Sequence, residues 1–193
     1  MQYVKKNPTL TELVILASEG FRQRITPAFE LDVQEHLEDT DFCVCVYDED
    51  LLVACMLCKR PLATVLYIVG TLVLPAYQGR GIKAQATRFI FAEDPSLVWF
   101  AGRTQSPIVW SSVHAIAREL LPHPDPDQGS QEAYALRAQV AESLGMRDVI
   151  APGFYGGPLY GHKPVNHDAQ VQTWWDTICT FERGDAVVYI ARF

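Results

Sequence analysis

The stretch from Leu72 to Phe89, LVLPAYQGRGIKAQATRF, constrains the fold more than any other part of the chain. An apolar run stops at Pro75, two glycines flank Arg80, and a helical pattern follows. A strand that leads into a helix in this way leaves several backbone N–H groups directed out of the helix N-terminus. The glycines let a ligand approach the backbone closely, and Arg80 and Lys83 add positive charge. The stretch therefore predicts a phosphate or pyrophosphate site.

The sequence before this stretch predicts two helices followed by three strands. Thr9 or Thr11 is a suitable N-cap for a helix that runs to about Phe21, and a second short helix follows in FELDVQEHLED. The runs after it are rich in β-branched residues and are separated by turn residues, which is typical of an antiparallel meander. The predicted strands are DFCVCVY and LLVACMLCKR, joined by the turn Asp48-Glu49-Asp50, and TVLYIVGTLVL.

The second half of the chain predicts further helices and strands around one linker-like segment. Pro107 begins the predicted helix PIVWSSVHAIAREL, and Gly145 ends the predicted helix EAYALRAQVAESLG. Between them, LPHPDPDQGSQ has the proline, aspartate and glycine content of a linker. The segment APGFYGGPLYGHKP is expected to be an irregular loop. The predicted strands here are SLVWFAGRT, MRDVI and GDAVVYIARF.

This order of elements predicts a mixed α/β fold, with a largely antiparallel central sheet and helices on both faces. The 193 residues suit one domain, 1–193. Hydrophobic residues make up 49% of the chain and charged residues 20%, so a well-packed core is expected. The formal net charge of −7, with no basic cluster, argues against nucleic acid as a partner. No apolar stretch is long enough for a membrane span, so a cytoplasmic location is expected.

Three phosphate-binding motifs compete for the glycine turn. The nucleoside-triphosphate loop fails, because no Gly-Lys followed by Ser or Thr occurs in the chain. The dinucleotide fingerprint G-x-G-x-x-A matches at Gly79, Gly81 and Ala84, which leaves an NAD(P)-dependent oxidoreductase open. That fingerprint should directly follow the first strand of a βαβ unit, however, whereas a meander and four intervening residues precede it here.

The third motif is that of the GNAT superfamily of N-acetyltransferases, which this stretch resembles. The acetyl-CoA loop of that family follows the pattern [QR]-x-x-G-x-[GA], and the chain matches it from Gln78 to Ile82. Lys83 departs from the pattern, since Gly or Ala is usual there. The order of helices, meander, loop and helix also agrees with the family. The resemblance is most secure from Asp41 to Arg103. It implies that two later segments are insertions relative to the family: an extra helix with its linker (107–131) and a long loop (151–183).

The resemblance implies acetyl-CoA as co-substrate and transfer of its acetyl group to a primary amine of a small molecule or protein. The strand residues would line the pantetheine arm, and backbone N–H groups of the turn would bind the pyrophosphate. A CoA-binding module without catalysis is a second interpretation, and a homodimer is left open. The expected cofactor-binding residues are Val73, Leu74, Gln78, Gly79, Arg80, Gly81, Ile82, Lys83 and Ala84.

The catalytic residues are less well marked. Many family members carry a glutamate eleven residues before the loop and a tyrosine near the end of a later helix, but this chain has Tyr67 and Ala141 there. Tyr67, on the same predicted strand face as Val69 and Thr71, is therefore either a core residue or a candidate for pocket lining and proton transfer. His114 is a second candidate, because its imidazole titrates near neutral pH. Tyr134, two helical turns before Ala141, is a third.

Two groups of side chains complete the predictions. The loop aromatics Phe154, Tyr155, Tyr160 and His162 are candidates for a wall of the acceptor site, and Trp174 and Trp175 for core or subunit contacts. The five cysteines include the pair Cys55 and Cys58. In a strand these two point to opposite faces, so buried structural thiols are expected and no metal site is predicted.

Overall fold

The β-strands and helices were located in a computed structural model that describes residues 1–193. The strands are β1 (Gln2–Lys5), β2 (Phe42–Asp48), β3 (Leu51–Leu62), β4 (Val65–Val73), β5 (Trp99–Thr104), β6 (Glu119–Leu121), β7 (Ile150–Ala151) and β8 (Ala186–Arg192). The helices are α1 (Leu10–Phe21), α2 (Pro27–Glu38), α3 (Ile82–Glu93), α4 (Pro107–His114), α5 (Gln131–Ser143) and α6 (Ala169–Ile178). The fold is mixed α/β with antiparallel strand pairs, as predicted. Two compact units divide the chain, Met1–Leu97 and Val98–Phe193, and the single domain stays a prediction.

The first unit holds four antiparallel strands in the order β1-β2-β3-β4. The predicted meander is thus confirmed. Strand β1 was not predicted; its four residues carry little pattern, and pairing with β2, with Gln2 opposite Tyr47, makes them a strand. Helix α1 starts at the expected N-cap, where the Thr9 side chain accepts the N–H of Glu12 and the Glu12 carboxylate accepts the N–H of Thr9.

The core of the first unit lies between α1, α2 and one face of the sheet. Leu13, Leu16 and Val33 of the helices are buried there against Leu57 and Leu72 of the strands. The apolar face of each helix thus packs on one apolar face of the sheet, although Ile15, Phe21 and Leu31 on the outer faces of the helices are exposed.

The cysteines follow the predicted alternation. Cys45 and Cys55 lie directly opposite each other on β2 and β3, and with Cys43 they belong to the core under α1. Cys58 pairs with Phe42 and lies on the other face of β3. All five thiols are buried and unpaired as disulfides, and no group of three or more potential ligands could hold a metal ion.

The second unit is built around β8. Strand β5 pairs with one edge of β8 along its whole length, and β6 and β7 pair with the two ends of the other edge. The predicted final strand and the helix α5, which begins at the N-cap Ser130, are confirmed. The predicted strand MRDVI is reduced to the short β7.

Two predictions for the second unit were wrong. The helix that begins at Pro107 ends at His114 rather than continuing to Leu120, because Glu119–Leu121 pairs with β8 and its two leucines are buried. The segment 151–183 is not wholly a loop, since it contains α6, whose N-cap Asp168 accepts two backbone N–H groups. No helix of the chain combines the length and apolarity needed to cross a membrane.

Candidate functional site

The connection from β4 to α3 is a tightly held turn. Pro75–Tyr77 forms one turn of 3-10 helix, and the Leu74 N–H donates to the Val53 carbonyl at 2.9 Å. The Gln78 side-chain amide donates to the Val73 carbonyl at 3.1 Å. The turn is thus anchored to β3 at its start and to β4 at its end.

Both glycines of the turn are required by their backbone conformation. Gly79 has φ +74° and Gly81 has φ +71°, in the left-handed region that other residues adopt at a cost. An added Cβ at Gly79 would meet nothing within 4 Å, so backbone angle rather than space selects glycine there. The sequence motif therefore reflects a true left-handed turn before the helix.

Helix α3 begins without a capping side chain. In the other five helices a Thr, Ser or Asp side chain accepts backbone N–H groups of the first turn. The N-cap of α3 is Gly81, which offers no such acceptor, and the Gly81 carbonyl accepts the Gln85 N–H at 3.1 Å. The first turn of α3 thus has no side-chain acceptor, and the helix dipole favours an anion at this position.

Two cationic side chains and an acidic hairpin surround this helix start. The Arg80 guanidinium lies 4.7 Å from the centre of the Tyr77 ring, and the Tyr77 hydroxyl donates to Asp48 at 2.8 Å. Burial lowers the pKa of Lys83 to about 8, although its side chain is only half-buried by area. Lys83 is thus charged at neutral pH and becomes neutral at moderately alkaline pH.

The strand that leads into the turn contains a β-bulge. Leu57 pairs with Gly70 whereas Cys58 pairs with Ile68, so Val69 is an extra residue without a partner on β3. The bulge reverses the alternation of side chains. By register Tyr67 consequently shares a face with Gly70 and Leu72, so the prediction that it shares one with Thr71 was wrong. Val69 packs against the same core cluster as Leu72. Its ring is fully buried.

The other two candidate catalytic residues belong to the second unit. The His114 ring stacks on Trp110, with centroids 5.0 Å apart and planes 12° from parallel, and the side chain is exposed. Tyr134 is 46% exposed, and its hydroxyl lies 3.2 Å from the Gln128 carbonyl. The structure thus uses Tyr134 to hold the linker before α5. Neither contact tests the predicted catalytic roles, which stay predictions.

The aromatic loop of the second unit is fixed by two buried polar residues. The side-chain oxygen of Gln105, directly after β5, accepts the Leu159 N–H at 2.7 Å. The backbone carbonyl of Gln105 accepts the indole N–H of Trp175 at 3.1 Å. Asp185 accepts the Gly153 N–H at 3.0 Å. Within this loop burial raises the pKa of Tyr160. The loop is therefore an ordered cover in its own unit, and its predicted role as an acceptor wall stays untested.

Sequence reasoning missed one buried cation. Arg137 lies on the inner face of α5, is 7% exposed, and donates from Nε to the Val188 carbonyl at 2.7 Å. The Val188 carbonyl lies between the segment of β8 that pairs with β6 and the segment that pairs with β7. The guanidinium therefore occupies the position that the N–H group of a neighbouring strand would take. Burial lowers the pKa of Arg137 to about 10. The helical spacing of Ala133, Arg137 and Val140 was the signal that could have revealed it.

The comparisons with known proteins bear on the fold. No family model and no curated sequence relative matches the chain. Among solved structures, it is similar to the ribosomal-protein-S18-alanine N-acetyltransferase from Escherichia coli, with 11% identity, 99% of this chain and 94% of that chain covered, and a TM-score of 0.50. It is also similar to GphF GNAT-like decarboxylase in complex with isobutyryl-CoA, with 15% identity, coverage of 100% and 99%, and a TM-score of 0.50.

Both similarities span nearly the whole of each chain, and at such low identity they show the fold alone. The protein therefore has the GNAT fold, and the resemblance drawn from the glycine turn is confirmed at that level. The same result removes the structural basis of the dinucleotide interpretation, because the glycines follow an antiparallel meander instead of the first strand of a βαβ unit.

Proposed function

We propose that this protein is an acyl-CoA-dependent acyltransferase that transfers an acetyl group from acetyl-CoA to a primary amine. The observation that carries the proposal is the start of α3, where two left-handed glycines lead into a helix with no capping side chain. A 12-residue helix whose first turn has no side-chain cap offers its positive dipole end to a bound anion. The pyrophosphate of CoA is such an anion.

The proposed binding mode assigns a task to each part of the turn. The N–H groups from Ile82 to Ala84 bind the pyrophosphate, and Arg80 and Lys83 contribute positive charge to it. The end of β4, at Val73 and Leu74, lines the pantetheine arm. The bulge at Val69 leaves backbone groups without partners on β3, and these are the proposed donors for the thioester carbonyl.

The reaction proposed is direct transfer. The neutral amine attacks the thioester carbon, the C–N bond forms, and the C–S bond breaks so that CoA leaves as the thiolate. The incoming ammonium must first lose a proton, and the leaving thiolate gains one. Tyr67, His114 and Tyr134 are the proposed candidates for these proton transfers. Tyr67 is the one in the same unit as the glycine turn.

Proteins of the same fold support the choice of ligand class. One similar structure is named an N-acetyltransferase acting on a protein alanine, and the other contains isobutyryl-CoA. These names favour an acyl-CoA over a nicotinamide cofactor, and they make a primary amine a reasonable acceptor. A larger acyl group than acetyl fits the same proposal.

Ligand-dependent stabilisation tests the binding half of the proposal. Acetyl-CoA at saturating concentration should raise the melting temperature of the wild-type chain, and NADPH should not. Replacement of Gly81 by Ala should reduce the shift, whereas Gly145→Ala should not, because Gly145 has the same left-handed backbone elsewhere, with φ +70°. A shift with NADPH and none with acetyl-CoA would overturn the proposal.

Turnover tests the catalytic half. Free thiol released from acetyl-CoA or isobutyryl-CoA should appear with at least one member of an amine library that includes peptides with free N-termini. Binding without thiol release for any acceptor would favour the alternative, a non-catalytic acyl-CoA-binding module. A cytoplasmic location and the absence of nucleic-acid partners are further expectations, and a homodimer is checked by light scattering.

A further inference from the structure

The first unit contains a cavity that the proposed acyl-CoA site does not use. Its volume is about 400 Å³, within the range of small-molecule pockets. It lies beside the C-terminal half of α3, about 13 Å along the helix from Gly81 at 1.5 Å per residue. The apolar side chains that line it are Phe42, Val44, Leu66, Phe89, Ile90 and Leu97.

One ion pair at the cavity is already complete. Arg60 Nη1 lies 2.6 Å from the Asp94 carboxylate, and its remaining donors bind the Ala63 carbonyl and the Ser96 hydroxyl. These bonds tie the β3–β4 hairpin to the end of α3. A ligand would gain little from either charge, because it would first have to break this network.

Glu93 is different, because its carboxylate has no hydrogen-bond or ion-pair partner in the chain. It is the last residue of α3, where the negative end of the helix dipole makes a second negative charge unfavourable. Its side chain is exposed and lines the cavity together with apolar side chains such as Phe89 and Ile90. A cation bound there would satisfy both the carboxylate and the helix end.

The remaining charges at the cavity leave a negative balance. Asp41 accepts the Arg60 N–H at 2.7 Å with one oxygen and keeps the other free. Lys5 is the single unpaired cation, and its ammonium lies 4.1 Å from the centre of the Phe42 ring. Apart from the Arg60–Asp94 pair, two carboxylates therefore face one ammonium group around the apolar surface.

We propose that this cavity binds a small primary amine with an apolar body, with the ammonium group at Glu93 and the apolar part against Leu66 and Ile90. Charge complementarity selects the amine, and the apolar lining selects an aryl or alkyl group over a polyamine. The site is separate from the glycine turn, so binding requires neither acyl-CoA nor acyl transfer. The inference therefore stands independently of the proposed function.

Isothermal titration with 2-phenylethylamine tests the site in the full chain without acyl-CoA. The amine should bind, and the anion 3-phenylpropionate, of similar shape, should not. Replacement of Glu93 by Gln should weaken amine binding about tenfold, the effect of losing one charge-assisted hydrogen bond. Glu19→Gln is the matched control, because Glu19 is an exposed carboxylate in the last turn of α1, also 12 residues long, and does not line this cavity.

A second variant tests the apolar part. Ile90→Phe should reduce the cavity and weaken binding of the amine, and circular dichroism of the variant verifies that it folds. Preference for 3-phenylpropionate, no binding of either probe, or equal affinity in wild type and Glu93→Gln would each overturn the inference. Because acetyl-CoA is absent, none of these results depends on whether the acyl-CoA site is correctly assigned.

Discussion

Gly102 and Tyr189 lie directly opposite each other on β5 and β8, and the Tyr189 phenol covers the glycine. A Cβ added at Gly102 would lie 2.4 Å from the hydroxyl oxygen and 2.7 Å from Cζ, far inside van der Waals contact. We expect Gly102→Ala to displace the buried phenol and to lower the free energy of unfolding by about 2 kcal/mol, as overpacking does. Urea denaturation measures the change.

A glycine in another strand serves as the control for that prediction. An added Cβ at Gly70 in β4 would meet nothing within 4 Å, so Gly70→Ala should leave the stability nearly unchanged or raise it. Equal destabilisation by both substitutions would show that strand glycines matter here for a reason other than the contact with Tyr189.

Gly81→Ala should weaken acyl-CoA binding through the backbone. Alanine at φ +71° costs about 1 kcal/mol in the left-handed region, and relief of that strain would turn the first N–H groups of α3 away from the ligand. The Gly145→Ala control should lose similar stability but keep its affinity for acetyl-CoA. Calorimetric affinities of both variants compare the two effects, and a loss of affinity in both would point to a general destabilisation.

The pKa of Lys83 predicts a pH dependence of acyl-CoA binding. Since burial lowers this pKa to about 8, the side chain loses its charge as pH rises through 8, and affinity for acetyl-CoA should fall between pH 7 and 9. Lys83→Met should bind more weakly at pH 7 and lose most of the pH dependence. Arg80→Met should also bind more weakly yet keep it, because Lys83 is then still present.

The lowered pKa of Lys83 also predicts how stability depends on pH. Because burial disfavours the charged form, the folded protein becomes more stable when Lys83 loses its proton. The unfolded chain binds this proton up to about pH 10.5 and the folded chain only up to about 8, so unfolding takes up a proton between those values. The stability of the wild-type protein relative to Lys83→Met should therefore rise from pH 8 to 10.5. A flat difference would mean that the Lys83 ammonium is not destabilised by burial.

Asp185 should control the acid stability of the second unit. Its carboxylate is bound by both Arg183 and the Thr180 N–H, and the Arg183 hydrogen bonds above all lower its pKa to about 2. Asp185→Asn should cost about 2 kcal/mol at pH 7, because it removes the charge of a buried carboxylate that accepts hydrogen bonds from Thr180, Gly153 and the half-exposed Arg183. The folded-state pKa lies below the unfolded value of 3.8, so the carboxylate stabilises the fold above pH 4. The difference between variant and wild type should shrink as pH falls from 4 to 2.

Interactions between residues that are close in the sequence made much of the first unit predictable. The N-cap Thr9, the turn after β2 and the glycines at 79 and 81 act within a few residues of themselves, so their effects appear in sequence spacing. The candidate pyrophosphate site belongs to this class, because every group in it comes from one strand-to-helix connection. The three consecutive strands of the meander were predictable for the same reason, because short turns join strands that are neighbours in the chain.

The sequence by itself determined the capped start of α1, the meander and the left-handed turn that leads into α3, since each depends on neighbours in the chain. Tertiary structure alone decided that Glu119–Leu121 is a strand, since that conformation depends on pairing with β8. It also decided the bulge at Val69, which changes the face of Tyr67, and the burial of Arg137 against Val188. Strand register and a buried charge are set by distant partners, and no local pattern contains them.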